Sequence, residues 1–324
     1  MARFLTFLAK AIGVLLLSAL ISAFFTSLVI VGIYKTKDKD IKRKENSSVV
    51  ADFVDEHGIP NPDLTPTEPE FIDNDKIPES KKEIDFQPAI EDWAKKAGGK
   101  AGVYIYDLDN DKVAANYNGN VRFATASLYK LFVVYEGYRR LETGEWSGNT
   151  RVGSTGKTIS QCLDLAIRES HSPCAESLHS MIGYETMANI IKNDFGLNNT
   201  SARNLYSTPE EIAKMMKIFY EHSDIKNADN IAQMKDSFLN QPKTTYDWRR
   251  GLPKGFSDKV DVYNKVGWEY VNETKSWKIY DDAAIVVFKN EDRHFIVVEM
   301  TSGVSLSNIN RLATIIEETF YSVY

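Results

Sequence analysis

Beyond Phe86 the apolar positions switch between strand and helix spacing. After Phe86-Gln87-Pro88 the run AIEDWAKKA reads as a short helix, with proline near its first turn and Gly98-Gly99 after its last. AGVYIYDLD then alternates and is rich in β-branched and aromatic residues, and KVAANYN beyond the Asp109-Asn110-Asp111 turn completes a hairpin. From Ser127 to Thr143 apolar residues recur at helical spacing and stop at Gly144. Further helices are expected at Thr158–Arg168, Pro173–Met181, Tyr184–Asp194 and Pro209–His222. In the last of these Thr208 caps, Pro209 takes the first turn, and Glu210 and Glu211 suit the positive helix end. Strands return at Val260–Val266, Asp281–Lys289 and His294–Thr301, before a helix over Ser307–Tyr321. Strands first, helices in the middle and strands last predict an α+β chain whose terminal strands meet in one antiparallel sheet beside a helical cluster.

The chain before Phe86 follows a different pattern. Residues 11–34 run for 24 positions without a charge, long enough at about 1.5 Å per residue to cross a hydrocarbon core of roughly 30 Å. Their length and the lack of an A-x-A-like cleavage site favour one uncleaved transmembrane anchor over a signal peptide. Residues 35–85 form a charged linker in which prolines alternate with acids, an extended and self-repelling composition. The expected organisation is therefore a short N-terminal end and anchor (1–34), a linker (35–85) and one folded domain (86–324). Arg3 and Lys10 on one side of the anchor face six basic residues between Lys35 and Lys44 on the other. The positive-inside rule taken alone would put the large domain in the cytoplasm.

Composition narrows the function. Of 324 residues, 43% are hydrophobic and 26% charged, within the globular range. Residues 86–324 carry 28 Lys/Arg against 31 Asp/Glu, with no basic stripe to displace counterions from phosphates, so no nucleic-acid partner is expected. Five scattered histidines and two cysteines give no metal-ligand spacing, and no metal or other cofactor is expected. The segment Gly153–Thr158 resembles the second half of a phosphate loop, but Arg151 stands where the first glycine belongs. Cys162 and Cys174 read most simply as buried small hydrophobes.

What survives is Ser127-Leu128-Tyr129-Lys130, opening a long helix so that serine and lysine share one face. A partly buried lysine loses proton affinity, and its free amine could take the proton from Ser127. The serine amide, at the positive helix end, is placed to stabilise an oxyanion. Ser170-His171-Ser172 follows 43 residues after Ser127, and Lys265-Val266-Gly267 another 95 residues on.

The order S-x-x-K, S-x-N, K-T-G marks penicillin-recognising serine enzymes. Residues 86–324 resemble that superfamily, in particular its class A β-lactamase-like branch, in RFATASLYKLFVVYEGYRRLETGEW, ISQCLDLAIRESHSPCAESL, RRGLPKG, DDAAIVVF and HFIVVEMTSG. The resemblance implies a five-stranded antiparallel sheet with packed helices and an all-helical lobe. It implies Ser127 as nucleophile, Lys130 as its proton partner, Ser170 as relay to the leaving amine, and Lys265 as the charge that keeps the site positive. The amides of Ser127 and Trp268 would form the oxyanion hole, and Ser172, Val266 and Gly267 would meet a peptide-like or β-lactam small molecule. The catalytic domain is expected to be monomeric and, because such substrates lie outside the cell, extracytoplasmic, against the positive-inside count.

Three departures bear on activity. The segment between Gly196 and Ser207 carries no carboxylate, whereas the class A loop supplies the glutamate that activates the deacylating water. Ser172 stands for asparagine, and Val266 for the hydroxyl residue that helps grip a substrate carboxylate; valine cannot hydrogen-bond. Arg249 or Arg250 could take over that grip, or be no more than loop charges. The leading reading is an anchored acyl-hydrolase or acyltransferase on peptide-like amides, such as cell-wall D-Ala-type peptides, which β-lactams acylate and leave slowly. A competent β-lactamase would need a water activated by Lys130, Glu169 or another group. The alternative of another class is a catalytically idle module holding peptidoglycan or a partner, against which the two lysines flanking a serine argue.

Overall fold

The computed structural model describes residues 81–242, 247–271 and 276–324; the predicted anchor at 11–34 and the linker up to residue 80 lie outside them. Among the described residues no helix is long and apolar enough to cross a membrane. Helix α1 (Gln87–Lys96) has its proline in the first turn and buries Ile90, Trp93 and Ala94. It leads into the hairpin β1 (Lys100–Asp107) and β2 (Lys112–Tyr117), then the short β3 (Phe123–Ala124). A 3-10 turn, Ala126–Tyr129, runs into α2 (Lys130–Glu142), followed by α3 (Ile159–Arg168), α4 (Ser172–Ile182) and α5 (Tyr184–Asn193). After β4 (Tyr206–Ser207) come α6 (Pro209–Glu221), α7 (Ala228–Leu239) and a single turn, α8 (Leu252–Gly255). The chain closes with β5 (Val260–Val271), β6 (Ser276–Phe288), β7 (Arg293–Ser302) and α9 (Leu306–Tyr321).

The main sheet has the order β2-β1-β7-β6-β5, antiparallel throughout, so the first hairpin joins the last three strands through β1 and β7. Side-chain alternation along these strands feeds two cores. Val103, Ile105, Val286 and Val297 pack with Ile90 of α1 and with Leu312, Ile316 and Phe320 of α9. Ile296, Val298 and Ala283 face the helical lobe, with Leu131, Phe132, Val134 and Tyr135 of α2. All nine residues from Lys130 to Tyr138 are buried, which makes α2 the lobe's central helix.

Three differences from the sequence reading concern local detail. The helix expected from Ser127 begins as a 3-10 turn and becomes α-helical only at Lys130. Helix α7 was not expected; it starts at the Asn227 cap and buries only Met234, Ser237 and Phe238, too few apolar positions for a clear period. Strands β5 and β6 run several residues beyond their expected ends, because pairing continues through polar positions such as Glu269.

The cysteine reading needs correction. Cys162 and Cys174 are buried, as expected, but joined in a disulfide between α3 and α4, with Cα atoms 4.9 Å apart. The bond spans the turn that carries Ser170 and closes a ring of 12 residues' separation. Pairing depends on how two helices fold back on each other, which one-dimensional spacing does not reveal. Loop-closure entropy for a ring of this size is worth about 3 kcal/mol. Replacing both cysteines by alanine is therefore expected to lower the unfolding free energy by about 2–4 kcal/mol in urea denaturation. An unchanged midpoint would show that the cross-link does not hold the turn.

Candidate active site

Ser127 lies in the 3-10 turn directly after Ala126, whose φ of 39° is left-handed, and α2 begins at Lys130. Such φ values in non-glycine residues are strained and concentrate at functional sites. The turn is pressed against edge strand β5 by a close approach at Gly267. A Cβ there would lie 2.4 Å from the Thr125 carbonyl oxygen and 2.8 Å from Leu128 Cγ, so glycine is required. On the other side Thr125 N donates to Leu205 O at 2.9 Å, and β3 pairs with β4, tying the 197–207 segment to the turn.

Lys130 is fully buried at the start of α2. Its amine donates to Ser170 O (2.5 Å), Ser172 Oγ (3.0 Å) and Ser170 Oγ (3.3 Å). Burial lowers its pKa to about 8, opposed by the charge of Glu176. Ser170, at φ 54°, is a second left-handed residue, and its hydroxyl also accepts from Lys265 Nζ at 2.9 Å. One hydroxyl thus lies between two lysine amines, and all three motifs converge on it. Ser127 Oγ makes no hydrogen bond among the described residues, and Ser127 lines a cleft open to solvent, of about 330 Å³, together with Ser172, Glu176, His179, Tyr184, Arg203, Trp268 and Glu269.

Several expected roles change in this geometry. Lys265 is completely buried, and burial, then the charge of Lys130, push its pKa well down against the pull of Asp282. The fixed positive charge expected of Lys265 is therefore weakened, since desolvation penalises the ammonium. Ser172 holds Lys130 while also lining the cleft. The Val266 side chain is buried, and Gly267 serves the contact between strand and turn. Trp268 lines the cleft beside Ser127, where its amide was expected. Arg249 is not an exposed loop charge: its Nη1 donates to the carbonyls of Leu239 (2.9 Å) and Val262 (3.1 Å). Glu169 is not among the cleft-lining residues.

The acids of the following helix are structural. Glu211 is buried and accepts from the amides of Asn198 and Asn199, each at 2.9 Å, and from Thr200 Oγ1 at 2.6 Å. Glu210 pairs with Lys214 at 2.8 Å. Glu211 thus does more than suit the helix end; it shapes the turn at 198–200. Neither acid lines the cleft with Ser127.

Three carboxyls lie fully buried on β6 and β7, which sequence periodicity did not single out. Asp281 takes the Thr301 amide (2.7 Å), Asp282 takes Asn264 Nδ2 (2.8 Å) and the Leu252 amide (3.0 Å), and both Glu299 oxygens lack partners among the described residues. Burial drives the pKa of all three up, that of Asp282 to about 7. A folded-state pKa above the unfolded one means that the native protein binds more protons between about pH 4 and pH 7. Stability from Asp282 is therefore full below pH 4 and is lost as pH rises to 7, a change of roughly 4 kcal/mol. Urea unfolding at pH 5 and pH 8 is expected to show the falling contribution in wild type and a flatter profile in Asp282→Asn. Equal slopes in the two proteins would refute it.

An α+β fold whose sheet edge, helix start and interhelical turn bring Ser127, Lys130, Ser170 and Lys265 together defines a serine acyl-transfer enzyme. Residues 85–320 match the model of the beta-lactamase enzyme family, and the chain belongs to that family. No curated protein matches the sequence. Among solved structures, the TLA-1 extended spectrum beta-lactamase is similar with a TM-score of 0.63 and 16% identity, over 72% of this chain and 98% of that one. An ancestral (GNCA) class A beta-lactamase has a TM-score of 0.62 and 15% identity, over 72% of this chain and 100% of that one. A class A representative from Bacteroides cellulosilyticus has a TM-score of 0.62 and 15% identity, over 72% and 96%. At this identity the likeness carries the fold alone.

Proposed function

We propose that this protein is a membrane-anchored serine acyl-hydrolase that forms an ester on Ser127 with β-lactams or D-Ala-type cell-wall peptides and releases it slowly. The observation that carries the reading is the placement of Ser170 Oγ between Lys130 Nζ (3.3 Å) and Lys265 Nζ (2.9 Å) beside the cleft that contains Ser127. A hydroxyl bridging two amines can pass a proton from the attacking serine toward the leaving nitrogen. A lysine with pKa about 8 has an appreciable free-base fraction near neutral pH, as a proton acceptor needs. Slow release follows from the 197–207 segment, which brings no carboxylate to Ser127. The Cys162–Cys174 bond supports a domain on the oxidising side of a membrane, because structural disulfides persist there and are rare in the cytosol.

The test is intact mass of the full-length chain over time after adding a fluorescent penicillin. An adduct that forms on Ser127 and decays slowly but measurably is the expected result. An adduct that vanishes within seconds while the drug is consumed would make the protein a competent β-lactamase, and no adduct at all would favour the idle binding module.

A further inference from the structure

We propose that Glu176 is the general base that directs water onto the Ser127 ester, replacing the carboxylate that the 197–207 segment lacks. The inference deepens the acyl-enzyme reading and rests on it. Glu176 lies on α4 four residues after Ser172, hence on the same helix face. Ser172 is the residue whose hydroxyl holds Lys130, and Glu176, Ser172 and Ser127 line one cleft. The proximity is also electrostatic: the Glu176 charge opposes the effect of burial at Lys130 and adds to it at Tyr129.

Three neighbouring acids are otherwise engaged, whereas Glu269, on edge strand β5, also lines the cleft and is the rival that the variants must separate from Glu176. Glu211 holds the 198–200 turn, Glu210 pairs with Lys214, and Glu185 pairs with Arg203 at 3.3 Å. Glu176 is exposed and makes no ion pair or hydrogen bond among the described residues, so it is open to a water. A second polar group stands on the same wall. His179, one turn further along α4, lines the cleft, is 4% exposed and has an unpartnered Nε2, a site that an ordered water could satisfy.

In the step itself, a water oxygen attacks the ester carbonyl carbon while a Glu176 oxygen takes one of its protons. The carbonyl π pair moves onto oxygen and the new C–O bond forms. As that pair returns, the bond to Ser127 breaks, and the serine oxygen receives the proton from Glu176. A carboxylic acid leaves, with Ser127 hydroxyl and Glu176 carboxylate restored.

The experiment follows formation and decay of the fluorescent penicillin adduct on the full-length chain separately, in wild type, Glu176→Gln, Glu176→Asp and Glu269→Gln. In Glu176→Gln, decay is expected to slow by about 10²–10⁴-fold more than formation does, the range for loss of a general base, with Glu176→Asp in between. A purely structural role would move both phases together. A glutamine variant that releases the adduct at the wild-type rate overturns the assignment while leaving Ser127 as nucleophile. So does slowing confined to Glu269→Gln, or a wild-type adduct that never decays. Absence of any wild-type adduct overturns the acyl-enzyme reading, and this assignment with it.

Discussion

Ser127→Ala is expected to abolish the covalent adduct and to lower amide or β-lactam hydrolysis by about 10⁴–10⁶-fold, the range seen when a serine nucleophile is removed. The hydroxyl is the only group of the residue that changes, and it forms no hydrogen bond among the described residues. The turn around it is held by other atoms: the Thr125 and Leu128 contacts with Gly267, and the Leu128 amide donating to Thr125 O at 2.8 Å. The variant should therefore fold normally, with stability within about 0.5 kcal/mol of wild type, as for a substitution that disturbs no buried partner. Intact mass and a thermal melt check both halves. Undiminished labelling of the alanine variant would place the nucleophile elsewhere.

The second large effect concerns Lys130. Lys130→Met is expected to slow acylation by about 10²–10⁴-fold through loss of the proton acceptor. In wild type, with pKa about 8, the free base is the active form. Acylation should then rise nearly tenfold per pH unit below 8 and level off above it, and the methionine variant should lose that limb. Stability follows the same group. Its folded pKa lies below the unfolded value, so the unfolded chain binds more protons between pH 8 and about 10.5, and stability rises with pH across that window. Below pH 8 the buried ammonium costs roughly 3 kcal/mol relative to the neutral amine. Methionine removes that cost together with the hydrogen bonds to Ser170 and Ser172, so the variant should be slower and its stability should no longer rise between pH 8 and about 10.5. Stopped-flow acylation from pH 6 to 10, with urea unfolding at the same pH values, decides it. A flat wild-type profile would remove Lys130 as the base.

The motif residues were legible because their chemistry is tied to short spacings. Three residues from Ser127 to Lys130 bring both to the start of one helix, and alternation along 101–109 and 294–301 marks strands of a shared sheet. Other features were not legible, because they depend on contacts between segments far apart in the chain. Glu176 reads as an ordinary exposed helix residue until α4 is seen to wall the cleft. Asp281, Asp282 and Glu299 read as strand polar groups until the sheet is covered on both faces. Arg249 reads as a loop charge until its guanidinium is found among carbonyls of Leu239 and Val262.

From sequence alone came the α+β class and the order of most elements, which follow from local periodicity and capping, and, through the resemblance to penicillin-recognising enzymes, the choice of Ser127, Lys130, Ser170 and Lys265 as candidates. Tertiary structure decided what each of these groups can do. It paired Cys162 with Cys174 across the Ser170 turn and sank Lys265 deep enough to weaken its charge. It turned Ser172 toward Lys130, buried the Val266 side chain and left Glu176 lining the cleft. The physical reason is that proton affinity and reach are set by desolvation and by neighbours brought together from distant parts of the chain, quantities that no local pattern of residues contains.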